Sequence, residues 1–169
     1  MSKQQGIDDL ISAVMQAVAA FQDAADQVDE AAARRLGLNR TDLRCLGILT
    51  RFGPTSAGQL AFAAGLSPGA ATTAVDRLVR AGYAQRVHDE QDRRRVTVQA
   101  TPMAHARSEQ IWGPIGQDSY RWLARRDEAE LHAIREFLHQ GSQLQVEHAG
   151  RIAAEPAIGD RRASVTSQD

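Results

Sequence analysis

Two groups of residues in the middle of the chain have the types and spacing to hold a polyanion. Ser67, Pro68, Gly69, Thr72, Thr73, Arg77 and Arg80 recur on one side of a helical period, and Arg93, Arg94 and Arg95 stand together a short way on. The first group is small and polar at its start and cationic at its end. Hydroxyls and the free N–H groups of a helix N-terminus can meet phosphate oxygens and base edges, and guanidinium groups can meet phosphates. Three adjacent arginines repel one another and are hard to bury. Alone they read as surface charge on a solvated turn; beside a helix with a bare polar face they read as nucleic-acid contact.

The surrounding sequence supplies the elements that position them. Ser67 is a good N-cap and Pro68 suits the first helical position, so a helix is predicted over about 68–81. Ala71, Val75 and Leu78 form its buried face, and Gly82 closes it as a left-handed residue. A two-stranded hairpin follows, with Tyr83, Ala84 and Val87 on one strand and Val96 and Val98 alternating along the other. Its tip runs from Asp89 to Arg95, where Asp92 is suited to pairing with Arg94 and holding the tip's shape.

Upstream, Ile7, Leu10, Ile11, Val14, Met15, Val18 and Phe21 make a helical stripe, predicting one long helix over about 6–35 ended by Gly37. So long a helix has few local partners in a small domain and is expected to pack against another subunit. A second helix over 41–52 turns Leu43, Leu46 and Leu49 inward and stops at Gly53-Pro54. Ser56-x-x-Gln59 is a capping box for a third, short helix, for which Leu60 and Phe62 are expected to supply the packing. Thr101-Pro102 opens a fifth helix, expected to kink at Gly113-Pro114, and Asp127 starts a sixth with Leu131, Ile134, Phe137 and Leu138 as its stripe, weakened at Gly141. The fold class is mainly α with a small β-hairpin wing. Residues 1–152 are read as one domain, and 153–169 as a disordered tail.

Leu66-Ser67 with Thr72, then Val75-Asp76-Arg77-Leu78, Gly82, Asp92-Arg93-Arg94 and Thr101 resemble the winged helix-turn-helix of the multiple antibiotic resistance regulator (MarR) family. The resemblance implies a dimeric transcription regulator, usually a repressor, with DNA-binding residues over 38–101 and dimerisation helices at 6–37 and 102–149. It also implies a small aromatic or phenolic effector between the dimer helices and the DNA module. Met15, Phe21, Arg44, Ile48 and Trp112 are the candidate lining, since an arginine beside aromatics suits a carboxylated aromatic ring.

Charge distribution agrees with a DNA reader on a separate scaffold. Net charge is −1 overall, but residues 40–101 carry nine arginines against five acids, while the flanks are acidic. Cys45 is the lone cysteine and reads as a small core residue, so no disulfide or cysteine-cluster metal site is expected within the chain. His88, His105, His132, His139 and His148 make no close metal-binding pair, and no phosphate loop, nucleophile elbow or carboxylate pair stands out. The expectation is a cytoplasmic non-enzyme without cofactor or membrane span, whose partners are double-stranded DNA, a second copy of itself and a small aromatic ligand. A winged-helix protein without effector, serving as an architectural or protein-interaction module, is the alternative.

Overall fold

A computed structural model describes residues 3–88 and 96–155. The chain divides into two compact units, Met1–Gly116 and Gln117–Asp169. In order, the elements are α1 (Lys3–Leu36), α2 (Arg40–Phe52), β1 (Thr55–Ser56), α3 (Ala57–Ala64), α4 (Pro68–Arg80), β2 (Ala84–His88), β3 (Val96–Ala100), α5 (Pro102–Leu123) and α6 (Glu128–Ala154).

The helix ends follow their local chemistry. The side chains of Asn39, Ser56, Ser67 and Asp127 accept the orphan N–H groups opening α2, α3, α4 and α6, with a complete capping box at Ser56/Gln59 and at Asp127/Glu130. α1, α3 and α4 end alike. In α4, Tyr83 N–H returns to the Leu78 carbonyl and Gly82 N–H to Val79, with Gly82 at φ +77°, a conformation that costs a residue bearing a Cβ. This ending turns the chain from α4 directly into β2. Thr101 Oγ1 donates to the Gly82 carbonyl at 2.7 Å and accepts from Ala104 N–H, so one side chain closes the wing and caps α5.

The core of the first unit joins the end of α1 (Ala32, Ala33, Leu36) to Leu43, Cys45, Leu46 and Leu49 of α2, Leu60 and Ala64 of α3, and Ala74, Val75 and Leu78 of α4. Ala84, Val98, Ala100 and Ala104 complete it from the wing and α5. The other large apolar residues of the α1 stripe, from Ile7 to Phe21, are exposed apart from half-buried Val18. None of the residues of α6 is buried, and Phe137, Leu138, Leu144, Val146 and Ile152 stand exposed along it.

Several expectations change. The wing is a three-stranded antiparallel sheet of order β1-β3-β2, because Thr55 and Ser56 pair with Val98 and Thr97. Two residues carry no period that sequence could show, and Ser56 also serves as the α3 cap. Phe62 supplies no packing: it is 92 % exposed, while Leu60, Ala61 and Ala64 form the buried face. The helix turns a residue two positions from Leu60 well away from it, and the alanines let the helices close without an aromatic ring. α5 is a single helix with Pro114 inside it rather than two pieces broken at Gly113-Pro114, and α6 runs through Gly141 to Ala154, in line with its resumption at Leu144 and Val146. Ala153 and Ala154 belong to α6; the rest of the expected tail, 156–169, lies outside the described residues.

Candidate nucleic-acid interface

α4 owes its position to two kinds of contact. Its inner face, Ala71, Ala74, Val75 and Leu78, is sealed in the core. Its polar edge is held by an ion pair that sequence reading missed. Asp42 on α2 is only 2 % exposed. Its Oδ1 accepts from Arg77 Nη2 at 2.6 Å, and its Oδ2 accepts from Arg77 Nε at 2.7 Å and from Asn39 Nδ2 at 2.9 Å. This is a two-pronged guanidinium–carboxylate match, the geometry in which arginine binds most specifically. The same bonds hold the Arg77 guanidinium above its ordinary pKa, first through the Asp42 hydrogen bonds. Arg77, expected to reach phosphates, therefore spends two of its donor groups on fixing α4 against α2. Nothing in sequence marked Asp42 for burial except its place between the inward Leu43 and the cap Asn39.

The outer face of α4 is open. Ser67, Pro68, Gly69, Thr72, Thr73 and Arg80 are all exposed, and a Cβ at Gly69 would meet nothing within 4 Å. Ser67 Oγ accepts from Ala70 N–H at 3.3 Å. Thr72 Oγ1 donates to the Pro68 carbonyl at 3.0 Å and Thr73 Oγ1 to the Gly69 carbonyl at 2.9 Å. Arg80 Nε donates to the Asp76 carbonyl at 3.3 Å, leaving most of its guanidinium on the surface at the last turn. The structure thus places six of the seven sequence-selected residues of this region on one accessible face, with Arg77 half-buried beside them.

Wing and helix are linked by a second pair that the sequence did not reveal: Arg86 Nη2 on β2 lies 2.6 Å from Asp76 Oδ1 on α4. Tyr83 Oη donates to the Leu36 carbonyl at 3.1 Å, tying the base of the wing to the end of α1. Arg93, Arg94 and Arg95, and the expected Asp92–Arg94 pair, lie outside the described residues. β2 and β3 pair in register from Ala84↔Ala100 to His88↔Val96.

The candidate effector residues are distributed differently. Ile48 and Trp112 are partly buried against the core of the first unit. Arg44 is exposed on α2, and Met15 and Phe21 stand 63 % and 70 % exposed on α1. Only Ile48 and Trp112 are thus part of the packed interior. Cys45 is fully buried, and burial pushes its thiol pKa up, with the Asp42 charge adding to the effect. Among the described residues, no cluster of three His, Cys, Asp or Glu could hold a metal ion, and no helix is long and apolar enough to cross a membrane.

Comparison with known proteins gives a consistent picture. A MarR family model matches residues 36–95, from the end of α1 to the residue before β3. An HTH-type transcriptional regulator of Bacillus subtilis (strain 168), YcgE, is 35 % identical over 123 residues, covering 73 % of this chain and 80 % of that protein. A MarR family protein from Bacillus stearothermophilus has a similar fold, with a TM-score of 0.61 at 18 % identity over 86 % of this chain and 99 % of the other. The structure of NadR in complex with 4-hydroxyphenylacetate is similar at a TM-score of 0.56 and 17 % identity, over 75 % of this chain and 89 % of that one.

Proposed function

Because this chain belongs to the MarR family of transcriptional regulators, we propose that it binds double-stranded DNA in a sequence-specific manner as a homodimer and represses transcription from the site it occupies. In this reading α4 enters the major groove, with Ser67, Pro68, Gly69, Thr72 and Thr73 toward the bases and adjoining phosphates and Arg80 toward the backbone. Arg77 sets the helix and keeps a partly accessible guanidinium for a phosphate. Arg93, Arg94 and Arg95 reach the DNA from the wing, with Arg94 in the minor groove, where A·T-rich sequence concentrates negative potential. The observation that carries the reading is the bare outer face of α4, held in place by the fork from Arg77 to the buried Asp42.

A second copy supplies what the single chain lacks. The exposed apolar stripe of α1 and the wholly unburied α6 each need a partner surface, and a two-fold pair of α4 helices fits a pseudo-palindromic site with half-sites one helical turn apart. A small aromatic acid is the proposed effector, with Met15, Phe21, Arg44, Ile48 and Trp112 as its candidate contacts. The hydroxyphenylacetate bound by NadR supports this ligand class. Such a regulator works beside the chromosome, in the cytoplasm.

The test is fluorescence anisotropy on a labelled fragment from upstream of the protein's own gene, with scrambled DNA as competitor. Binding that survives the competitor, and is released by millimolar 4-hydroxyphenylacetate or a related phenolic acid, is the expected result. Equal affinity for both DNAs would overturn sequence-specific binding at that site. Binding indifferent to every phenolic acid tried, with no thermal shift, would remove the effector and favour a regulator controlled by other means.

A further inference from the structure

The face that α4 turns outward is short of hydrogen-bond donors. Each threonine hydroxyl has one hydrogen, and those of Thr72 and Thr73 are spent on the Pro68 and Gly69 carbonyls of their own helix. What both side chains have left is a methyl group and oxygen lone pairs. Pro68, Gly69 and Ala70 add hydrocarbon and bare backbone to the same exposed stretch, and the Ser67 hydroxyl, which accepts from Ala70 N–H, keeps one short-reaching donor at the cap. Arg77 has Nε and Nη2 on Asp42, and Arg80 sits a full two turns from Thr73 at the far end of the helix.

In the major groove, guanine presents two acceptors and the N7 of adenine is a third; both purines are read by donors such as arginine, lysine or an amide. The first two turns of α4 hold no such side chain. Thymine presents a C5 methyl group, which is read by apolar contact. We propose that Thr72 and Thr73 are specificity-determining residues that read thymine methyl groups in the major groove through their own methyls. This rests on the reading of α4 as the DNA-facing helix.

The experiment uses the full chain. A duplex is selected from a random-sequence pool and then made twice, once with thymidine and once with deoxyuridine throughout, which removes only the C5 methyl groups. The expected result is weaker binding of the uracil copy, by about fourfold for each contacted methyl (about 0.8 kcal/mol per buried carbon), with an unchanged salt slope, since no phosphate contact is lost. The double variant Thr72→Ser, Thr73→Ser keeps both hydroxyls and deletes both methyls; it is expected to bind the two copies alike. Equal binding of both copies by the unmodified protein, with scrambled DNA still failing to compete, would overturn the thymine reading and leave DNA recognition by α4 intact. Discrimination that persists in the double variant would also overturn it, by placing the methyl contacts elsewhere. A pool that yields no preferred duplex would remove the DNA-reading premise itself.

Discussion

Replacing Asp42 by alanine tests how α4 is held. The carboxylate accepts three side-chain hydrogen bonds, two of them from the Arg77 guanidinium, in a site from which water is nearly excluded. Breaking a buried ion pair by removing one partner costs about 3–5 kcal/mol, chiefly because the other charge is left uncompensated. Here the remaining partner is Arg77, whose side chain is 37 % exposed and can regain water. The expected loss for Asp42→Ala is therefore at the low end, about 3 kcal/mol, read as the shift in urea unfolding followed by far-UV circular dichroism. The reverse change, Arg77→Met, leaves the buried carboxylate with Asn39 alone and is expected to be the more damaging of the two. The double variant should recover part of the loss, because the two groups act on each other. An Asp42→Ala protein within about 0.5 kcal/mol of the original, Arg77→Met milder than Asp42→Ala, or strictly additive single changes would refute the reasoning.

Other consequences can be measured with simple variants. Leu60→Ala opens a cavity in a fully buried site of α3 and should cost about 3 kcal/mol. Phe62→Ser, two residues on, should change stability by less than about 0.5 kcal/mol in the same urea titration. Gly82→Ala places a Cβ at φ +77° and 3.1 Å from Met103 Cε, so a loss of about 1–2 kcal/mol is expected, with the melting temperature as the readout. The Cys45 thiol should resist a disulfide reagent at pH 8 in the folded protein and react fully in urea. Burial raises its folded-state pKa, so its contribution to stability is complete below the unfolded thiol's pKa and is lost as pH rises beyond it. The urea midpoint should accordingly fall further between pH 8 and pH 10 in the original protein than in Cys45→Ala.

The elements were legible where local chemistry decides them. Ser67-Pro68 at one end and Gly82 at the other bracket α4, and the spacing of Ala71, Val75 and Leu78 selects its inner face. Caps at Ser56 and Asp127 were equally readable, because each acts within three residues of its own position. What escaped depends on residues far apart in sequence. Asp42 and Arg77 lie 35 positions apart, and a buried carboxylate looks like any helical acid until its partner is seen. Arg86 was hidden for the same reason, since its partner Asp76 lies on another element. Phe62 misled because a large apolar residue in a short helix is usually inward. Here the close approach of alanines leaves the ring outside the core. For the candidate interface, the residues chosen from the sequence share an exposed face, and the structure altered the part open to Arg77 and to the threonine hydroxyls.

The most direct test of the outer face of α4 as the DNA-reading surface is a single substitution, Gly69→Glu. The position lies in the first turn of α4 and a Cβ there would meet open space, so the fold has room for the side chain. A carboxylate there suits the positive end of the helix dipole, and the melting temperature should hold or rise slightly. With α4 docked as proposed, the same carboxylate is brought against phosphates and the groove floor. Anisotropy on a selected duplex should then show binding reduced by at least about a hundredfold, the scale expected when several kcal/mol of specific contact are lost. A Gly69→Glu protein that melts normally and binds that duplex as tightly as the original would contradict the account.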